Sequence, residues 1–395
     1  MSSPFFYQLP DDKIALYPAN ERSESKLLIY KGDDIKSDVF SSIAHLLPCN
    51  SLLVRNSSKV IKARMFLHRE TGSRMEVFCL SFQQTEKGMS RAECLIKNVK
   101  KLKTDEILSA SVNEQSYTFT LKAQFTGRNE ENSLVTFSWE PMDIDFYTIL
   151  DMFGEAPLPP YIKREAEDSD AIRYQTIYAD ENGSVAAPTA GLHFTDVVEE
   201  QLIHRSIDTA HVVLHVGLGT FQPMKSGSYQ QHTMHSERFS VSKETIEKLM
   251  QNESSNVVCV GTTSLRTIES LYIAAHFTGE NSHPQNLHIG QWDANSISVF
   301  LPRNEAWNSL LQLMQRHDTD AVSGNTSFMI TPDYRCRTTD YLITNFHQPE
   351  STLLLIVASF IGDKWKEVYD YALTNNFRFL SYGDACLFRN LNQQE

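Results

Sequence analysis

Two stretches of the chain combine residue types suited to chemistry. Residues 185–191 (VAAPTAG) are small residues plus Pro, a run along which backbone can approach a ligand closely, and Thr189 and His193 stand in or just after it. Residues 257–264 (VVCVGTTS) read as a buried strand ending at Gly261, after which Thr262, Thr263 and Ser264 open a helix marked by Leu265, Ile268, Leu271 and Tyr272. The start of such a helix carries partial positive charge and free N–H groups, suited to a carboxylate or phosphate. Arg266 in its first turn is either a clamp for that anion or the i, i+3 partner of Glu269. The order is neither G-x-G-x-x-G nor a P-loop, so no nucleotide class follows. Imidazoles supply the acid–base candidates, because their ordinary pKa sits near neutrality. His193 lies between a small-residue loop and a helix, and His347 ends a strand after Asn345. His215 shares a strand face with His211, and His235 is followed closely by Glu237. Their spacing matches no local zinc pattern, so no metal is expected.

The elements that must position these groups are of α/β type. Thr195 is an expected N-cap, with Phe194, Val198 and Leu202 on one helical face. Residues 209–216 read as a buried strand running into Gly217-Leu218-Gly219-Thr220, the arrangement that places ligands at the carboxyl edge of a sheet. Leu52-Leu53-Val54 is a short buried strand, followed by a polar segment, 55–59, expected as a site loop. Ser242 is placed to cap a helix through Met250, and residues 352–360 form a buried helix. Between about Met65 and Trp139 the pattern changes to short successive strands (75–82, 92–96, 117–125, 134–139) with polar turns and no helical period, as in a small barrel or sandwich. This β module is inserted into a larger α/β domain. The Pro-rich segment 153–164 is read as a rigid connector or a direct substrate contact, and residues 276–327 show no chemistry.

Hydrophobic residues at 41% and charged residues at 22% over 395 residues fit a globular protein of two or three domains. The longest apolar run, 353–361, is too short to span a bilayer, and residues 1–25 lack the order of a signal peptide. Six scattered cysteines without a CxxC pair fit reduced core thiols in the cytoplasm. The net charge of −13 argues against a general nucleic-acid binder. Lys97, Lys100, Lys101 and Lys103 nevertheless form one basic cluster, and Arg55, Lys59, Lys62 and Arg64 another, each readable as a solvated face or a phosphate contact.

Seven ordered motifs then give the chain a resemblance: RYQTIYA (173–179), VAAPTAGLHFT (185–195), LHVGLGTFQP (214–223), MHSE (234–237), VGTTSLRTIES (260–270), LITNFHQPESTLL (342–354) and FRFLSYGD (377–384). With PLPPYIKR (157–164) and the Arg22, Ser25 and Lys26 context, the chain closely resembles the S-adenosylmethionine:tRNA ribosyltransferase-isomerase family of queuosine biosynthesis. It departs from the family wording at 56–59, where N-S-S-K replaces N-D-T-R, at Asp333, and at 23–26. A Lys in place of Arg loses the planar fork of donors.

The resemblance implies an α/β fold in which residues 1–65 and 151–395 form the catalytic domain and residues 66–150 an inserted small β-barrel. It implies transfer and isomerisation of the ribosyl part of S-adenosylmethionine onto 7-aminomethyl-7-deazaguanine at the tRNA wobble position, giving epoxyqueuosine with release of adenine and methionine. S-adenosylmethionine would be co-substrate, with no prosthetic group, and the protein a cytoplasmic monomer without membrane contact. Catalytic roles would fall to His193, His347, His215 and His235. Substrate contacts would come from Arg173, Tyr174, Thr189, Glu237, Thr262, Thr263, Ser264, Arg266, Asn345, Tyr382 and Asp384, and RNA contacts from Lys59, Arg64, Lys97, Lys100, Lys101 and Lys103. Two other readings remain at this point: a transferase using S-adenosylmethionine or a nucleoside on a small molecule, and a catalytically silent tRNA-binding relative.

Overall fold

The computed structural model describes residues 4–114, 117–129, 132–217, 224, 228–252 and 255–391. Four strands lie side by side and parallel at the centre of a ten-stranded sheet: Asp208–Leu214, Leu52–Asn56, Val257–Val260 and Tyr341–Asn345. All of Leu52–Asn56, Val257–Val260 and Tyr341–Asn345 is buried, as expected of strands covered on both faces. Antiparallel neighbours flank this core: Glu237–Ser242 beside Asp208–Leu214, and Ala385–Arg389 beside Tyr341–Asn345. The expected strand at 209–216 stops at Leu214, and the Gly217–Thr220 loop expected to follow it lies outside the described residues beyond Gly217.

The helices of this domain form where the sequence places caps. Thr195 accepts a hydrogen bond from the Val198 N–H, starting Asp196–His204, and Ser242 accepts one from Thr245, starting Lys243–Gln251. The Gly261–Ala275 helix starts straight from its strand. Gly261 has φ of +85°, a left-handed conformation that a side chain would strain. Every residue of that helix is buried, and two of its hydroxyls bond backbone one turn back: Ser264 donates to the Val260 carbonyl at 2.7 Å and Thr267 to the Thr263 carbonyl at 2.8 Å.

The β module is a barrel of six antiparallel strands. Arg64–Arg69, Arg74–Glu86, Met89–Ile96, Ser133–Glu140, Tyr117–Arg128 and Ile107–Glu114 pair in that order, and the last closes onto the first through His68 opposite Ser109. Period-two alternation buries Val135, Phe137 and Trp139 inside it. The Phe146–Phe153 helix, capped by Asp145, seats Phe146, Ile149 and Leu150 against this core. The α/β architecture with an inserted small barrel is thus the expected one.

One local expectation fails, and one of the two readings of Arg266 is excluded. The polar 55–59 segment is not a loop but sheet, because its polar groups bond to neighbouring backbone. Asn56 donates to the Leu214 carbonyl at 3.0 Å and accepts from the Leu214 and Ser58 N–H groups at 3.1 Å each. Ser58–Val60 pairs in parallel with Glu181–Ser184, leaving Lys59 exposed. Arg266 does not pair with Glu269. The Glu269 carboxylate is filled by Tyr334 Oη (2.7 Å), the Arg337 and Thr338 N–H groups (2.8 Å each) and Thr338 Oγ1 (2.7 Å).

Candidate active site

The carboxyl ends of the parallel strands open into a cleft of about 620 Å³. One wall is Ala187, Pro188, Thr189 and Ala190. Another is Gly261, Thr262 and Thr263 at the start of the buried helix, and a third runs from Thr344 to Gln348. Five expected site residues therefore converge here directly: Thr189, Thr262, Thr263, Asn345 and His347. Within the small-residue run, Gly191 has a different reason to be small. A Cβ there would lie 2.0 Å from Tyr178 Oη, so its place is packing rather than ligand approach. Ser264 lies beneath the cleft, bonded to its own helix.

His347 is 8% exposed. Its Nε2 lies 2.8 Å from Thr344 Oγ1, and its Nδ1 makes no hydrogen bond among the described residues. Tyr7 Oη donates to its carbonyl at 2.5 Å and its N–H donates to Tyr369 Oη at 3.1 Å, which fixes the backbone. His193 is held at both nitrogens, Nδ1 at 2.9 Å from Ser25 Oγ and Nε2 at 3.3 Å from Asn345 Nδ2. Burial pushes His193 down to about 4 and His347 down to about 3, so both are neutral at pH 7.

Both folded values lie below the ordinary 6.5, so the stabilisation is complete above pH 6.5 and lost as pH falls through 4 for His193 and 3 for His347. In the window from 6.5 down to 4, wild-type unfolding free energy is expected to fall more steeply than that of His347→Gln, by about 1.4 kcal/mol per pH unit. Chemical denaturation across pH tests this, and parallel curves would contradict it.

A second, wider cleft of about 1800 Å³ separates the barrel from the sheet. Phe82, Leu95 and Tyr147 face it from the barrel side, and Gly183, His215, Gly217, His235, Glu237 and Arg238 from the other. His215 packs on Gly183, where a Cβ would meet the ring at 2.8 Å. Burial lowers its pKa, with Arg238 adding to the effect. His235 is exposed. Glu237 forms a buried ion pair with Arg266 and accepts the Gly217 N–H at 3.0 Å. Burial lowers the Arg266 pKa to about 10, which leaves it charged. The two clefts are separated by little more than backbone: Val216 lines the first and Gly217 the second, as do Ala187 and Val185.

The remaining expected residues lie elsewhere. Arg173 and Tyr382 border a small recess beside His193. Arg173 donates to the Asn20 carbonyl at 3.1 Å and the Ala19 carbonyl at 2.5 Å, and Tyr382 Oη donates to Asp170 at 2.7 Å. Tyr174 is buried edge-on against Tyr382. Asp384 is occupied by the Lys26 N–H (3.1 Å) and Arg378 N–H (2.7 Å), so it ties chain segments together and does not reach either cleft. Lys97, Lys100, Lys101 and Lys103 are exposed on the barrel, while Arg64 pairs with Glu76 at 2.9 Å. Sequence reasoning passed over Tyr161 and Ser381, which meet at 2.5 Å and line the first cleft; the Pro-rich connector thereby contributes a wall, and PLPPY was its one signal.

Parallel strands that end in a cleft lined by hydroxyl, amide and imidazole groups, beside a barrel-lined groove carrying imidazole and guanidinium groups, fit an α/β enzyme. The chain belongs to the queuosine biosynthesis protein family, whose model matches residues 2–388. It is 36% identical over 388 residues to the S-adenosylmethionine:tRNA ribosyltransferase-isomerase of Trichlorobacter lovleyi, covering 97% of this chain and 98% of that one. Identity to the protein of the same name from Pelobacter propionicus is also 36%, covering 96% and 97%. A crystal structure of an S-adenosylmethionine tRNA ribosyltransferase from Thermotoga maritima is 26% identical, with 98% and 99% covered and a TM-score of 0.47. Among the described residues no helix is long and apolar enough to cross a membrane, and no group of three or more His, Cys, Asp or Glu is placed to hold a metal.

Proposed function

We propose that the protein transfers and isomerises the ribosyl moiety of S-adenosylmethionine onto 7-aminomethyl-7-deazaguanine at the tRNA wobble position, releasing adenine and methionine. The observation that carries this reading is the pair of clefts divided by the 185–187 and 216–217 backbone. Two substrates held on either side of so thin a partition can meet at its edge. The first cleft takes S-adenosylmethionine and the second an unpaired base splayed from the anticodon loop, the usual mode of single-stranded RNA recognition.

A sulfonium acidifies the adjacent ribose methylene, and a base must take that proton. His347 is placed for this, being neutral and cleft-lining with one nitrogen uncommitted. His193, with both nitrogens bonded, serves as a positioning group. His215 and His235 stand on the side of the incoming amine, where protonation of departing adenine or deprotonation of the amine falls to them. The division of labour follows residues 1–65 and 151–395 as catalytic domain and 66–150 as barrel. The protein works as a cytoplasmic monomer without a prosthetic group.

The test is adenine release with tRNA carrying the deazaguanine precursor and with the same tRNA carrying guanine. Release confined to the precursor supports the reading; release with neither, despite tRNA binding, ends it. For the basic cluster, the double variant Lys100→Glu/Lys101→Glu is expected to weaken tRNA binding about 10-fold and to flatten its salt dependence by one to two ions, roughly, with S-adenosylmethionine affinity unchanged. Equal tRNA affinity by filter binding would remove these lysines from the interface, and leave Lys59, Arg64, Lys97 and Lys103 as the RNA contacts to vary next.

A further inference from the structure

We propose that the first cleft contains a seat for a zwitterionic amino-acid group, with acceptors on one wall and donors on the next, and that Ser25 sets the acceptor wall by fixing the tautomer of His193. The inference rests on S-adenosylmethionine as co-substrate, since that molecule carries such a group.

Carbonyls that cannot donate fix the direction of every bond in a five-membered chain. Ser25 Oγ donates its one proton to the Arg22 carbonyl at 3.1 Å. At the 2.9 Å contact the His193 Nδ1 must therefore carry the hydrogen. In the neutral ring Nε2 is then a lone pair, and it accepts from Asn345 Nδ2 at 3.3 Å. The Asp384 carbonyl, at 3.5 Å, agrees with Nδ2 on that side of the amide but is too distant to hold it there without His193. The amide oxygen accordingly accepts from Thr189 Oγ1 at 2.8 Å, which uses the only hydroxyl proton there. What Thr189 and Asn345 offer the cleft from their side chains is lone pairs.

The adjoining wall has the opposite character. The first N–H groups of the Gly261–Ala275 helix have no partner within the helix, and no side chain caps them at Val260. Thr263 lines the cleft, is 9% exposed, and its buried Oγ1 has no hydrogen-bond partner. The walls touch: a Cβ on Gly261 would lie 3.8 Å from that of Ala190, the neighbour of Thr189. An ammonium fits the lone pairs and a carboxylate the donors, and an α-amino acid carries both on one carbon.

Calorimetric binding of S-adenosylmethionine and of analogues lacking the α-amine or the α-carboxylate charge tests this without tRNA or turnover. Wild type is expected to lose about 10–100-fold with the amine removed. In Ser25→Ala that ratio should collapse to within about threefold while the carboxylate ratio holds, and Ser25→Thr should restore it. Nitrogen NMR of the histidine-labelled protein should show His193 protonated at Nδ1 in wild type and Ser25→Thr, and mixed in Ser25→Ala. Undiminished amine discrimination in Ser25→Ala, or a wild-type His193 protonated at Nε2, overturns the proposal. If Ser25→Ala does not fold, Thr189→Val carries the same test from the cleft side. Wild type that binds no S-adenosylmethionine at all speaks against the functional reading instead, and the NMR result then decides the tautomer alone.

Discussion

Replacing His347 with alanine is expected to slow adenine release by about 10²–10⁴-fold while S-adenosylmethionine affinity stays within about threefold of wild type. The ring is the imidazole of the first cleft with an uncommitted nitrogen, and its backbone is tied to Tyr7 and Tyr369, so the remaining wall should hold its shape. The loss should appear in single-turnover rate rather than in KM, since a group that takes a proton acts in the transition state. A variant with normal single-turnover rate and raised KM would instead make His347 a binding residue.

The second large effect concerns the ion pair under the partition. Arg266→Ala leaves the Glu237 carboxylate, 6% exposed, facing the gap. Breaking such a pair from one side costs about 3–5 kcal/mol, because a buried charge remains uncompensated. The double replacement Arg266→Leu/Glu237→Leu should recover most of that stability. It should not recover adenine release, since Glu237 also holds the Gly217 N–H where the two clefts adjoin. Denaturant unfolding of the three variants checks the first part and the release assay the second. An Arg266→Ala protein within about 1 kcal/mol of wild type would show that the pair adds no more than an exposed one does.

Local features of the chain were legible where local physics decides them. The caps at Thr195 and Ser242 need only a hydroxyl before a helical pattern, and the barrel strands need only their period of two. The cleft-lining groups at Thr189, Thr262 and His347 sit at strand ends and helix starts, which periodicity locates. Partners were not legible. The i, i+3 rule offers Glu269 to Arg266, but tertiary packing brings Tyr334, Arg337 and Thr338 to Glu269 first and turns Arg266 toward Glu237. The polar 55–59 segment looked like a loop because composition cannot say that the Asn56 amide will bond both the N–H and the carbonyl of Leu214 on the neighbouring strand. The tie of His193 to Ser25 joins residues far apart in the chain, and no spacing announces it.

The two stretches of chain that lead into and out of the barrel are paired with each other, Gly154 opposite Met65 and Glu155 opposite Arg64. An insertion whose ends meet can be accepted by a host fold without opening the host's sheet. The barrel is in this sense a cassette joined by a single seam. Its loops and surface charge can be exchanged while the bonded network around the sheet-edge cleft stays as it is.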